Sequence, residues 1–416
     1  MTKQELFFSD IEAMDKSDPI ARKRNAFSLP ENTIYLDGNS LGPTPIAAIE
    51  RAQEVVNNQW RNDLITSWNQ HQWIELPTIV GEKIAPLIGA DTGQVICCDS
   101  VSINLFKLMA AGLSLNPGRK VILSQRDNFP TDLYMAQGLE SLIGSDKCQL
   151  KQVDGDQILE YLDETVAVLM LTQVNFRTGE VHDMAAITQA AHDKGILVIW
   201  DLAHSAGVMP IELDSWQVDF AVGCGYKYFN GGPGAPAFVY VAERHQDNLS
   251  QPLSGWMGHS KPFDFSPDYQ PAQDIKAFLC GTPQVISMSV LDAALDVYND
   301  ISIEQIRAKS LAMSDLFMRL VKQYPALRQL DLITPTQHAI RGSQVAYRHE
   351  HAYAICQALI AEDIIADFRA PDILRIGFSP LFLTFENIYQ SVESLNNIVE
   401  HKIYDQPKFH KRQAVT

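Results

Sequence analysis

No apolar run in the 416 residues approaches the roughly 20 that a membrane helix needs; the longest are short stretches such as Val166 to Leu171 and Ile196 to Trp200. That points to a soluble protein. Cysteine is sparse and unorganised: Cys97, Cys98, Cys148, Cys224, Cys280 and Cys356 include no CxxC pair, which excludes a disulfide framework and a zinc ribbon, and no metal is expected. These thiols read as reduced, buried, small hydrophobes. Basic residues are in deficit, 33 against 50 acidic ones, and the net charge of -17 has the wrong sign for gripping nucleic acid or an anionic membrane. Repeats and low-complexity segments are lacking, and the tail from about Asp405, rich in Lys, Gln and His, reads as frayed. The start scatters Glu5, Asp10, Glu12, Asp15 and Asp18 where a secretory leader has a basic start and a continuous apolar stretch, so the cytoplasm is expected.

What is present is enough apolar residue, 46%, for one large core and a smaller one. From Thr44 the pattern TPIAAIERAQEVVNNQW predicts a long helix with Thr44 as N-cap and Pro45 at its first position. Between about 90 and 245, the runs VICC at 95, VILS at 121, VAVLML at 166, ILVIW at 196, FAVG at 220 and FVYV at 238 are continuously apolar, as strands buried on both faces are. Helix-period segments at about 102 to 113, 131 to 143 and 183 to 194 alternate with them, with Ser102, Thr131 and Asp183 as candidate caps. The expected fold is α/β, a mostly parallel sheet flanked by helices. Beyond Pro283 the texture changes to long helical stretches, about 285 to 322 and 349 to 361, with strand candidates LDLIT, SQVAYR and ILRIGF. The expected division is an N-terminal segment 1–49, a large domain 50–285 and a small α+β domain 286–416.

Ligands of such sheets sit outside the carboxyl ends of the strands. There ILVIW runs into Asp201 and His204, and FAVG into Tyr226 and Lys227, which puts a carboxylate and an amine at neighbouring strand tips. Taken singly, Asp201 is a helix cap and Lys227 a loop residue held between two tyrosines. Together they suit pyridoxal phosphate, which needs a lysine to bind its aldehyde carbon and a carboxylate to keep its ring nitrogen protonated. Its phosphate wants hydroxyls and N–H groups at a helix start, which the segment at Ser102 offers.

The segments YLDGNSLGPTP at 35, FPTD at 129, WDLAHSAG at 200, GYKYFNGGPG at 225, GWMGH at 255 and LRIGFSPL at 374 resemble kynureninases, in the class V aminotransferase branch of fold-type I pyridoxal-phosphate enzymes. They run in family order over most of the chain. The resemblance implies that Lys227 carries the cofactor, that Asp201 meets its ring nitrogen, that His204 lies beside the ring and that Phe129 stacks on it. It assigns Val101, Ser102, Thr131, Asp132 and Thr172 to further cofactor contacts, with Val101 and Ser102 standing where the family usually has Leu and Thr. Tyr226, Trp256 and Thr282 would contact the phosphate, the last two supplied by the second subunit of a homodimer with shared active sites. Tyr226 also fits the general acid–base role.

At the substrate end the resemblance implies Ser40 and Arg375, the arginine gripping an amino-acid carboxylate, although an arginine in an edge strand is ordinarily surface charge. The implied reaction is hydrolysis of L-kynurenine to anthranilate and L-alanine, a step of tryptophan breakdown and NAD synthesis. Thr282 stands where some animal enzymes carry Asn and favour the ring-hydroxylated substrate, so 3-hydroxykynurenine is expected to be secondary. Another class V enzyme, such as a cysteine desulfurase or a small-acid aminotransferase, is the competing reading. A desulfurase needs an exposed, low-pKa cysteine, and Cys280 and Cys356 are expected to be packed. A non-catalytic scaffold would have no use for Lys227, Asp201 and Arg375 together.

Overall fold

The computed structural model of the chain describes residues 8–413. In chain order, α1 (Phe8–Lys16), β1 (Ile34–Tyr35), α2 (Ile46–Glu54), α3 (Ser67–Gln70) and α4 (Leu76–Ile84) precede the main sheet. The sheet unit comprises β2 (Val95–Cys98), α5 (Val101–Leu115), β3 (Val121–Gln125), α6 (Pro130–Ile143), β4 (Gln149–Val153), β5 (Val166–Thr172), α7 (Met184–His192), β6 (Leu197–Asp201), β7 (Phe220–Cys224), β8 (Ala237–Val241) and α8 (Glu243–Gln246). After it come α9 (Val285–Ala294), α10 (Ile303–Gln323), β9 (Asp331–Leu332), β10 (Gln344–Arg348), α11 (Ala352–Ile360), β11 (Ile364–Ile365), β12 (Asp367–Arg369), β13 (Ile373–Gly377) and α12 (Phe385–Glu400).

Seven strands pair in the order β2-β8-β7-β6-β5-β3-β4, and all but β8 run the same way. Continuous apolarity follows from burial on both faces: along β2, Val95 and Cys97 enter one core cluster while Ile96 and Cys98 enter the other. Burying each such side chain contributes about 1.5–3 kcal/mol. Because six strands share a direction, their carboxyl ends line one edge, where Asp99 follows β2, Phe129 follows β3, Thr172 and Asp201 end β5 and β6, and Lys227 follows β7. A second, antiparallel sheet has the order β12-β13-β10-β9, and β1 pairs with β11, which ties the N-terminal segment to the C-terminal part of the chain. Among the described residues no helix is long and apolar enough to cross a membrane.

Several expectations need correction. The helix expected from Thr44 starts at Ile46 with no side-chain cap, and after Glu54 it widens into a π-helix over Val55–Asp63. There Gln59 turns inward to accept from the indole N–H of Trp73 at 2.9 Å. Ser100, not Ser102, caps α5; Pro130 starts α6 with Phe129 as cap residue, which leaves Thr131 in the first turn; Asp183 caps α7 as expected. β4 went unread because QLKQV is polar and half-exposed, as an edge strand permits. The stretch 285 to 322 breaks at Asn299, and Ser302 opens α10 with a capping box to Gln305. α12 was missed altogether. The tail does not fray at Asp405, for Tyr404 and Phe409 are buried in short helical turns.

Candidate active site

Asp201 ends β6 opposite Thr172 at the end of β5, and Lys227 follows the neighbouring β7. The N–H of Ala203 donates to Asp201 Oδ1 at 2.7 Å, a tight turn that brings His204 round to Lys227, Nε2 to Nζ 3.1 Å. Lys227 Nζ also lies 6.0 Å from the centroid of the Phe129 ring and 5.9 Å from that of Tyr226. Phe129 is 39% exposed and meets Phe176 edge-on at 5.2 Å, so one face of its ring is available for stacking. The loop before α2 packs on this lysine: the Gly42 N–H donates to the Tyr226 carbonyl at 2.8 Å. A Cβ on Gly42 would stand 2.2 Å from the Lys227 carbonyl oxygen, so only glycine fits.

Asp132 and Asp201 are two buried carboxyls at this centre. Burial raises the pKa of both; the Asp201 charge pushes Asp132 well above the usual range, whereas Lys227, the Ala203 N–H and Asp132 itself restrain Asp201. Of the two, Asp132 is raised the further. Thr172 donates to Asp132 at 3.3 Å and to Asn128, whose amide is anchored on Ser124 at 3.1 Å. Burial, with the charges of Lys227, Arg375 and Arg369, drives His204 well below 6.5, so its ring is neutral. Burial raises Tyr226, keeping its phenol protonated.

Pyridoxal phosphate fits these residues. Asp132 Oδ1 and His204 Nδ1 are buried without a hydrogen-bond partner, as polar atoms facing an absent group would be. At the start of α5, Ser100 takes the Ile103 N–H while Val101 and Ser102 stand half-buried in the first turn, where N–H groups suit a phosphate. Thr282 shares a small cavity with Asp99, Cys98 and Cys280 near that turn. Thr131 is half-buried in the first turn of α6. Trp256 and Thr282 are exposed, and among the described residues no hydrogen bond or ring contact joins them to Lys227; Trp256 meets Phe263 instead, 5.7 Å away.

Arg375 is not at an edge. It lies fully buried on β13, between β12 and β10, and donates to Asp367, to Ser40 Oγ at 2.7 Å and to the Phe176 carbonyl at 2.6 Å. Phe176 thus links the Phe129 end to the arginine end. Sequence reading missed Asp37, Asn128, Phe176, Asp367 and Arg369. A signal existed for two of them: in DFRAPDILR, alternation puts Asp367 and Arg369 on one face of a hairpin strand, and Asp367 pairs with Arg375 across it. Neither Cys280 nor Cys356 suits a desulfurase, since burial pushes both thiols up and Cys280 is tied to the Leu253 carbonyl at 2.9 Å.

This is the sheet of the class V branch of fold-type I enzymes. A cysteine desulfurase from Thermococcus onnurineus NA1 superposes with a TM-score of 0.75 at 18% identity, covering 96% of this chain and 100% of that one, and a cysteine desulfurase from Escherichia coli with 0.74 at 19%, covering 92% and 98%. At such identity the likeness is one of fold. A family profile described as the kynureninase C-terminal domain matches residues 306–395. The chain is 48% identical over 409 residues to a kynureninase of Burkholderia pseudomallei (strain 1106a), covering 97% of this chain and 98% of the relative, and 48% identical over 400 residues to one of Deinococcus radiodurans, covering 95% and 97%. The chain belongs to the kynureninase family.

Proposed function

We propose that the strand-tip site hydrolyses L-kynurenine to anthranilate and L-alanine, with Lys227 as the residue that carries pyridoxal phosphate. The enzyme is a pyridoxal-phosphate-dependent hydrolase; the cofactor, when bound, supplies an electron sink that lets the Cβ–Cγ bond of the substrate break. Water adds across that bond, so the atoms of one water end up in the two products. The observation that carries the reading is the meeting of Asp201 and Lys227 at adjacent strand ends in a chain 48% identical to kynureninases.

In this reading Asp201 would keep the ring nitrogen protonated, Asp132, Thr172 and His204 would help hold the ring, and Phe129 would stack on it. Val101, Ser102, Thr131, Tyr226, Trp256 and Thr282 serve the cofactor, chiefly its phosphate, and the protonated Tyr226 returns a proton to the substrate carbon. Lys227 takes and returns the proton at the substrate α-carbon. Arg375 and Ser40 receive the carboxylate, and Thr282 favours kynurenine over 3-hydroxykynurenine.

The reading includes a homodimer with shared sites. Its support is an apolar surface cavity of about 810 Å³ that includes Ile49, Trp60 and Ile286 and reaches Gly231–Pro233, four residues past Lys227. The cytoplasm completes the reading, a compartment that suits six scattered thiols. Anthranilate fluorescence on adding L-kynurenine tests the reaction, and borohydride reduction of the holoenzyme followed by peptide mapping tests the lysine. Label on Lys261 or Lys276 would remove Lys227 from the role.

A further inference from the structure

Two guanidiniums, not one, hang on the same pair of oxygens at the substrate end. Arg375 donates to Ser40 Oγ and to Asp367 Oδ2; Arg369 donates to the same Ser40 Oγ at 3.1 Å and forms an ion pair with the same Asp367 Oδ2 at 2.8 Å. Ser40 in turn directs its own hydroxyl toward Asp367 at 3.4 Å. Asp367 is almost wholly buried, and the hairpin register sets it opposite Arg375 with Arg369 two residues along on the same face.

The arrangement is unsatisfied in one respect. The Nε–H of Arg375 and the Nε–H of Arg369 are both buried without a partner, although both Nη groups of Arg375 and the Nη2 of Arg369 are engaged. A buried, partnerless guanidinium donor is costly unless something takes it. Two such donors, on cations tied side by side to one carboxylate, match the two oxygens of an incoming carboxylate. Asp37 is 3.9 Å from Arg375 and does not occupy either donor.

We propose that Arg369 binds the substrate carboxylate together with Arg375, and that Asp367 is the positioning residue that holds the two guanidiniums in register for it. The inference rests on the reading of Arg375 as the carboxylate site. Arg369 is the accessible member, with a side chain 35% exposed against 0% for Arg375. It meets the ligand first, and Arg375 fixes its depth.

The test uses holoenzyme and two small probes, L-alanine and L-alaninamide, which differ in the carboxylate alone. Their dissociation constants are measured by calorimetry for the native chain and for Arg369→Gln, Asp367→Asn and Asp367→Glu. Losing a charge-assisted bond should weaken L-alanine binding by about 10- to 100-fold in Arg369→Gln and leave L-alaninamide within about threefold. Asp367→Asn should lower the same preference and Asp367→Glu restore part of it. With L-kynurenine, KM should rise by the same factor while kcat holds. If Asp367→Asn does not fold, Arg369→Gln, at a half-exposed position, still decides. An unchanged L-alanine to L-alaninamide ratio in folded Arg369→Gln overturns the proposal. Native holoenzyme that releases no anthranilate overturns the proposed reaction instead, and the probe ratio still decides the role of Arg369.

Discussion

The Nζ of Lys227 stands 3.1 Å from Nε2 of His204, and the imidazole there is neutral because burial and three nearby cations disfavour its charged form. The ring nitrogen faces the lysine nitrogen, and the histidine adds no charge of its own near the cofactor. The pH dependence of kcat/KM should then contain no limb from His204. We expect His204→Phe, which keeps a ring but removes the Nε2 contact to Lys227, to lower the rate by about fivefold, the ~1 kcal/mol of a lost hydrogen bond, while the apparent pKa values of the profile stay in place. Disappearance of an acid limb near pH 6.5 in the variant would show a titrating histidine.

Asp132 keeps a proton that a free carboxyl would have lost, since burial and the Asp201 charge raise its pKa in the folded chain. The sign follows from proton counting. Above about pH 3.9 the unfolded state binds fewer protons at this residue than the folded state does, so this contribution to stability is present at low pH and lost as pH rises toward the folded pKa. Cofactor-free protein should thus lose several degrees of melting temperature between pH 5 and pH 8, and Asp132→Asn, which needs no proton, should flatten that slope. An equal slope in both would mean that another group sets it.

Gly42 ties the substrate loop to the cofactor lysine, since its Cβ position is occupied by the Lys227 carbonyl and the Asn230 side chain. Gly42→Ala must move either the loop or the lysine backbone, at a cost of about 1–3 kcal/mol typical of overpacking. Urea unfolding should show that loss, and the shifted Ser40 should raise KM. A variant with native stability and native KM would mean that the loop moves without carrying Ser40 with it.

Legibility in the sequence followed the physics of burial. Strands apolar on both faces announced themselves, as VAVLML did at β5, and the residues at their tips came with them. The edge strand β4 is half-solvated and carried no such signal. α12 was lost although its burial pattern is amphipathic, because FENIYQSVESLNNIVE spreads its apolar residues thinly among polar ones. Arg375 was found through motif likeness, yet its setting was misjudged because an isolated strand gives no hint of which neighbours flank it. The Asp367–Arg369 pair needed a long-range fact, the hairpin register, that no local pattern states.

Asp37 offers a pH handle on the same site. Burial and the charge of Asp367 push its carboxyl up to about 6 against the pull of Arg375, Ser40 and Arg369. Below that pH it is neutral and the two guanidiniums outweigh Asp367 alone; above it, an ionised Asp37 opposes an incoming carboxylate. Binding of L-kynurenine should therefore weaken as pH rises through about 6, by roughly three- to tenfold for a like charge a few ångströms away and partly screened. Asp37→Asn keeps the amide neutral at every pH, so the ratio of its KM to the native KM cancels any titration of the substrate itself. That ratio should fall across pH 5 to 8 if Asp37 titrates as described. A ratio constant over the range would mean that Asp37 remains in one protonation state from pH 5 to 8.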